Sequence, residues 1–147
     1  MRDFCTLDFH GQSFAVAYEC LREVIEPLPL TRVPLTPTGV CGVVNLRGNL
    51  LPVLALDPFL GLSTPEGDVL RRPWMAVLQS GRHTFGILAV GVGTIRNVDV
   101  DPVPSDQAPA PFIEGIIADP KMPVIELPAL MRQLSESLRQ TTSFSNS

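Results

Sequence analysis

Lysine, histidine and cysteine are scarce in this chain. Its 147 residues include one lysine, Lys121, and the formal net charge is -4 at pH 7. A protein that binds nucleic acid needs a basic surface that displaces counterions from the phosphates. An acidic chain with a single lysine lacks such a surface, so we expect no nucleic-acid partner.

The three cysteines indicate neither disulfides nor a metal site. Cys5, Cys20 and Cys41 are odd in number and far apart, so they form no CxxC knuckle and no disulfide framework. We interpret them as small apolar residues of a protein in a reducing compartment. The histidines and acidic residues also lack the spacing of metal ligands. We therefore expect no bound metal.

Long apolar runs are missing as well. The first ten residues alternate charged and apolar side chains and lack the apolar core of a secretory signal. No stretch approaches the roughly 18 apolar residues of a membrane span. With 45% hydrophobic residues the chain can still bury a core. We expect a soluble, cytoplasmic protein that does not insert into the membrane.

The residues of a catalytic centre are hard to find. A hydrolase needs a nucleophile, a base and a group that orients the base, but the two histidines, His10 and His83, both lie beside predicted turns. The Gly-Val-Gly at 91–93 lacks the third glycine of a dinucleotide-binding loop. We therefore predict that the protein is not an enzyme and holds no cofactor.

Alternating apolar residues predict strands along most of the chain. Hairpins are expected over residues 4–18, 40–56 and 74–90, separated by proline-containing segments that cannot form interior strands. Asp57 is predicted to cap a short helix that begins at Pro58. Leucines at helical spacing from 127 onward predict an amphipathic helix near the C-terminus.

Two stretches of sequence repeat one another. The pattern that starts at Gly42 has a counterpart starting at Gly115: a glycine, two β-branched residues, a turn, Pro-Val and a proline that opens a helix. The turns at Gly11 and Gly81 also match, and both pairs are separated by about 70 residues. The repeat predicts two similar β units in tandem, each closed into a small barrel.

Arg47 stands between two apolar runs, residues 42–44 and 50–56. One reading makes it a solvated turn residue beside Gly48. The other makes it a charged anchor in an apolar docking surface, a role in which arginine is enriched. Such an anchor needs a carboxylate partner, and Glu23 is the acid within an aliphatic stretch.

Residues 21–34, LREVIEPLPLTRVP, and 42–62, GVVNLRGNLLPVLALDPFLGL, resemble the hallmark of the CheW-like family, the coupling proteins of bacterial chemosensory arrays. Weaker similarity continues through GRHTFGILAVGV and FIEGIIADPKMPVIELPALM, so the resemblance covers nearly the whole chain. The matching positions are Glu23, Thr31, Arg32, Pro34, Gly42, Asn45, Leu46, Arg47, Gly48, Pro52 and Val53.

The resemblance implies an all-β fold with short helices, built from two SH3-like five-stranded β-barrel subdomains. We expect subdomain one at about residues 10–70, and subdomain two at about 71–126 together with a strand at 1–9. A C-terminal helix is expected at 127–139, followed by a flexible tail at 140–147.

The resemblance also implies a non-enzymatic adapter at chemoreceptor clusters. Such an adapter couples the cytoplasmic tip of a methyl-accepting chemoreceptor to the regulatory domain of a CheA-type histidine kinase. An apolar groove between the subdomains would receive the receptor, with Glu23 and Arg47 forming a salt bridge beside it. The implied receptor-binding residues are Leu21, Glu23, Val24, Gly42, Asn45, Leu46, Arg47 and Gly48.

Departures from the family pattern fall in the second half. Ala89-Val90 replaces a valine and an aspartate, Thr94 and Pro128 each replace an aspartate, and the stretch 97–112 is shorter than usual. Because that half supplies kinase contacts in the family, we expect receptor binding to be retained better than kinase binding. A divergent accessory member, such as the second CheW-like protein of the frizzy gliding-motility pathway, fits this pattern.

Two other functions remain open at this point. One is an adapter that binds receptors alone and organises their clusters without a kinase contact. The other, from a different class, is a sensor that binds a small ligand in the cleft between the barrels.

Overall fold

The computed structural model describes residues 1–32, 39–104 and 110–134. Within them lie eleven strands, two 3-10 turns at Tyr18–Cys20 and Asp57–Leu60, a short helix α1 at Glu66–Leu70, and a helix α2 that covers residues 127 to 134. The strands are β1 (Arg2–Phe9), β2 (Gln12–Ala17), β3 (Leu21–Ile25), β4 (Val40–Leu46), β5 (Asn49–Leu54), β6 (Trp74–Ser80), β7 (His83–Ala89), β8 (Gly91–Val98), β9 (Asp101–Pro102), β10 (Ile113–Ala118) and β11 (Lys121–Ile125).

The strands form two sheets. One has six strands in the order β8-β1-β2-β11-β10-β9, and the other has five in the order β3-β6-β7-β5-β4. The chain after β3 returns to β4, where Thr31 and Val43 exchange two backbone hydrogen bonds of 2.8 Å. This isolated bridge links the segment that follows edge strand β3 to edge strand β4 of the five-stranded sheet. The prediction of a mostly β fold with short helices is confirmed.

The sheets divide the strands differently from the expected subdomains. Hairpin β1–β2 comes from the first half of the chain but pairs with β8 and β11, whereas hairpin β6–β7 pairs with β3 and β5. Residues 12–17 therefore belong with the second unit, and residues 74–89 with the first. Alternation of apolar residues identifies a hairpin, but it does not say which distant strand the hairpin joins.

The repeat seen in the sequence has a structural counterpart. Gly42 pairs with Val53 just after a register shift, and Gly115 pairs with Val124 just after a shift of the same kind. Neither glycine has room for a Cβ, because the Thr31 carbonyl lies against Gly42, and the Val100 side chain and the Asp101 carbonyl lie against Gly115. The two hairpins, β4–β5 and β10–β11, thus share one framework.

A single large core joins the two sheets. Phe9 and Phe14 from the six-stranded sheet pack with Phe85 from the five-stranded sheet. Helix α2 adds Leu127, Leu130 and Leu134, all buried in the same cluster, as its helical spacing predicts. The expected continuation of this helix to 139 and the tail at 140–147 lie outside the described residues.

A buried ion pair ties the chain after β5 to the chain after α1. Both guanidinium Nη atoms of Arg72 donate to the carboxylate of Asp57 at 2.7 Å, and Thr64 donates to the same carboxylate at 2.6 Å. The side chains of Arg72 and Asp57 are 0% and 2% exposed. The helix-capping role predicted for Asp57 is therefore wrong, because the carboxylate faces inward to Arg72.

The ion pair also determines the protonation of the carboxyl group. Burial alone would raise the pKa of Asp57, but the hydrogen bonds from Arg72 and Thr64 outweigh burial. The pKa therefore lies below its ordinary value, and Asp57 is charged at neutral pH.

A candidate docking groove

Two hairpin turns meet at one end of the five-stranded sheet. Strands β5 and β7 run parallel, with Val53 beside Gly86 and Leu54 beside Ile87. Parallel neighbouring strands begin at the same end of a sheet. The β4–β5 turn and the β6–β7 turn, which precede β5 and β7, therefore lie side by side. Helix α2 approaches the same end of the sheet and closes one side of the space between the two turns.

A groove of about 720 Å³ lies between these three elements. Its walls are mostly apolar, and its rim carries Arg47, Arg82 and His83. The apolar walls include Leu46, Leu50, Leu51, Phe85, Met131 and Leu134. The groove is therefore an open apolar surface that ends in polar turns.

Leu50 is unusually exposed for a leucine. Its side chain is 71% accessible to solvent, at the second position of β5, where the strand leaves the turn. Burying a leucine side chain gains about 1.5–3 kcal/mol. A partner that covers the groove would obtain this free energy without rearranging the fold.

Arg47 forms the salt bridge that the resemblance implied. Its Nη2 lies 2.7 Å from Oε2 of Glu23, although Glu23 lies in edge strand β3 and Arg47 lies in the turn after the opposite edge strand, β4. The backbone of Arg47 has a positive φ of 50° and is followed by Gly48 with φ 87°. The side-chain oxygen of Asn45 accepts a hydrogen bond of 2.8 Å from the Gly48 amide and so holds the turn.

The arginine is exposed rather than buried. Its side chain is 69% accessible, against 31% for Glu23. Surface pairs of this kind contribute little to stability, because water competes for both charges. The pair therefore orients the guanidinium at the edge of the groove more than it stabilises the fold.

Glu23 has an unused acceptor. Its second carboxylate oxygen, Oε1, is buried and has no hydrogen-bond partner among the described residues. Buried polar atoms without partners are rare in folded proteins because each one costs free energy.

The other implied site residues are placed as follows. Leu46 lines the groove together with Arg47. Leu21 is half-buried against the large core, and Val24 is 38% exposed on β3, outside the groove. Gly42, Asn45 and Gly48 shape the β4–β5 hairpin.

Sequence reasoning missed Arg82, Met131 and the location of His83. The sequence placed His83 beside a predicted turn, and the structure shows an exposed side chain there, but this turn lies beside the apolar groove. No local pattern predicts this, because the position depends on the parallel pairing of β7 with the distant β5.

Groups suited to chemistry are scarce in the described part of the chain. No three of its His, Cys, Asp and Glu side chains cluster as metal ligands would. Burial raises the pKa of the Cys5 thiol to about 11, and burial is also the main reason why the pKa values of Cys20 and Cys41 are raised. Thiols of this kind are poor nucleophiles.

The helices within residues 1–32, 39–104 and 110–134 are short. None of the described helices is long and apolar enough to cross a bilayer.

Two interlocked β units with an open apolar groove define a binding module of the scaffold class. Comparison with known proteins gives the family, since the CheW-like domain profile matches residues 3–135. The chain belongs to the CheW-like domain family and is a non-enzymatic chemotaxis scaffold of the adapter type.

Curated and solved relatives agree with this assignment. The chain is 32% identical over 139 residues to a probable chemotaxis protein CheW of Rhizobium etli, a match that covers 90% of this chain and 88% of that protein. It is 33% identical over 106 residues to protein FrzA of Myxococcus xanthus, covering 69% and 65%. Its fold matches the scaffolding protein TtCheW of Thermoanaerobacter tengcongensis with a TM-score of 0.72 at 20% identity, covering 84% of this chain and 88% of that one.

Proposed function

We propose that this chain is a cytoplasmic adapter that couples the tips of methyl-accepting chemoreceptors to a CheA-type histidine kinase. The observation that carries the proposal is the open apolar groove, in which Leu50 is 71% exposed and Arg47 is held at the edge by Glu23. Scaffold members of a chemotaxis family need such a surface for a partner, and no enzymatic step enters the proposal.

The shape of the groove suits a helix of the receptor tip. An amphipathic helix presents apolar side chains at positions i, i+3, i+4 and i+7, and such a stripe fits an apolar groove. Arg47 uses one Nη to hold Glu23, which leaves other donors of its planar guanidinium for a receptor carboxylate or carbonyl.

Kinase binding is the weaker part of the coupling in this proposal. Val90, at a position where the resembling family has an aspartate, is 39% exposed just after β7. An exposed valine in place of a charge changes both the polarity and the hydrogen bonding of that surface.

Titration against separate receptor-tip and kinase regulatory-domain fragments tests whether the chain binds the receptor more tightly than the kinase. Kinase binding as tight as receptor binding would contradict it, and no kinase binding at all would leave a receptor-only adapter.

Replacing Leu50 by serine tests the groove directly. Loss of a buried leucine contact should weaken binding of a receptor-tip fragment by about 10- to 100-fold, the equivalent of about 1.5–3 kcal/mol. The melting temperature should hardly change, because the side chain is already exposed in the free protein. Calorimetric titration and thermal unfolding measure the two quantities.

Val90→Ser is the matched control, since Val90 is an exposed apolar residue outside the groove. It should leave receptor-tip affinity unchanged. If Leu50→Ser binds the receptor tip as tightly as the wild type does, the groove is not the receptor site.

A further inference from the structure

The groove has a positive rim within an acidic protein. Arg47, Arg82 and His83 line it, whereas none of its lining residues is acidic, and yet the chain carries a net charge of -4. A third arginine, Arg132, lies in the adjoining depression beside the β6–β7 turn. The charge is therefore concentrated where the apolar walls end.

Resting on the proposed receptor docking, we propose that the groove selects an amphipathic helix with carboxylates along the flank that faces the β6–β7 turn. Arg82 and His83 at that turn are the specificity-determining residues. The apolar walls bind the helix, and the rim decides which helix binds.

Arg82 is the strongest element of the rim because none of the described residues compensates its charge. Arg47 has Glu23 at 2.7 Å, and Arg132 has Glu126 at 3.8 Å. Arg82 and His83 form no ion pair and no side-chain hydrogen bond with any residue in 1–32, 39–104 or 110–134. An arginine without an acidic neighbour attracts a partner carboxylate most strongly, and its planar fork can bind one with two hydrogen bonds.

The position of the β6–β7 turn determines which side of a bound partner helix faces Arg82 and His83. The pairing of Val53 with Gly86 places the start of β7 beside the start of β5, and His83 and the exposed Leu50 line the same groove. A helix whose apolar stripe covers Leu50 then has a first side that faces Arg82 at the β6–β7 turn, which Met131 and Arg132 of α2 adjoin. Carboxylates three or four residues apart on that first side stand in one row along the helix.

The experiment compares Arg82→Glu with Arg71→Glu. Arg71 is exposed at the end of α1, does not line the groove and has no partner in the described residues, so both variants change the net charge equally. The probe is a helical-hairpin tip fragment of a methyl-accepting receptor from the same organism. It is used in its native form and in a form whose surface Asp and Glu are replaced by Asn and Gln.

At low ionic strength Arg82→Glu should weaken binding of the native tip by about tenfold, since attraction becomes repulsion. The loss should shrink towards about twofold in ~0.5 M salt, where exposed charges are screened. Arg71→Glu should bind like the wild type. The neutralised tip should bind the wild type and Arg82→Glu with similar affinity, which assigns the effect to receptor carboxylates.

Equal affinity of Arg82→Glu and Arg71→Glu for the native tip overturns the inference and leaves the docking groove standing, provided that Leu50→Ser still weakens binding. A salt-independent loss in Arg82→Glu also overturns it, because packing would then explain the effect. Absence of any binding by the wild type contradicts both the proposed function and this inference.

Discussion

The hairpins β4–β5 and β10–β11 share a framework but present different surfaces. Asn45 pairs with Leu50 in the first, and Ala118 pairs with Lys121 at the corresponding place in the second. Leu50 is 71% exposed, whereas the second hairpin has a charged lysine there. The duplicated backbone determines the fold, and the residues near each turn decide whether that end of the sheet is apolar or solvated.

The chain that follows each hairpin differs as well. After β5 comes Asp57, whose carboxylate is buried against Arg72. The corresponding position after β11 is Pro128, which lies in the first turn of α2. The segment after β5 is fixed by a buried ion pair, and the segment after β11 is fixed by the leucines of α2 that pack in the core.

The largest expected effect comes from removing Arg72. In Arg72→Ala the carboxylate of Asp57 stays buried without its two hydrogen bonds, and losing one partner of a buried pair costs about 3–5 kcal/mol. Urea unfolding should report this loss. Arg72→Met paired with Asp57→Leu should recover much of it, and a single variant as stable as the wild type would show that the pair is dispensable.

The two framework glycines sharpen the comparison. Gly42→Ala should cost about 2–4 kcal/mol, because a Cβ there meets the Thr31 carbonyl and the backbone φ is 153°. Gly115→Ala should cost less, about 1–3 kcal/mol, because it meets the Asp101 carbonyl without the positive φ. Denaturant midpoints for both variants test the order. A harmless Gly42→Ala would contradict the shared framework.

Acid should destabilise the end of the first hairpin. The folded-state pKa of Asp57 is below its unfolded value, so its contribution to stability is complete above the unfolded pKa. It is lost as the pH falls from about 4 through the folded pKa. Unfolding free energies measured from pH 7 to 3 should fall more steeply for the wild type than for the Arg72→Met, Asp57→Leu double variant. Parallel curves would assign the acid sensitivity to other groups.

The smallest effect on stability is expected for Arg47→Ala. An exposed pair contributes about 0–1 kcal/mol, so the fold should remain cooperative with nearly the same melting temperature. Receptor-tip affinity should nevertheless fall several-fold, because the oriented donor at the groove edge is gone. Arg22→Ala is a control, since Arg22 is bonded to Gln79 and does not line the groove. Unchanged receptor affinity in Arg47→Ala would limit Arg47 to a role in the turn.

Local features of the fold could be predicted from the sequence. Period-two alternation identified the hairpins, and the repeat from Gly42 and Gly115 predicted two similar units, since turns and glycine positions depend on neighbouring residues. The exchange of hairpins between the sheets could not be predicted, because it depends on the parallel pairs β2–β11 and β5–β7, which join strands far apart in the chain.

The candidate site was predictable to a similar extent. The pairing of Arg47 with Glu23 followed from the family resemblance, and the structure places the two side chains together. Arg72 was overlooked because it follows a polar segment with proline and glycine, where a buried arginine has no distinguishing pattern. Arg82 was overlooked for a related reason, since its role depends on which strand lies next to its turn.

The exchange of hairpins has a consequence for synthesis of the chain. The β1–β2 hairpin is synthesised before the strands that it pairs with, and its partner β11 ends at Ile125, so the six-stranded sheet cannot be completed until residue 125 has been made. The five-stranded sheet, in contrast, is complete in sequence once β7 has been made, at Ala89. We expect a chain halted after residue 100 to protect the amides of β5 and β7 from hydrogen exchange while those of β2 that face β11 remain open.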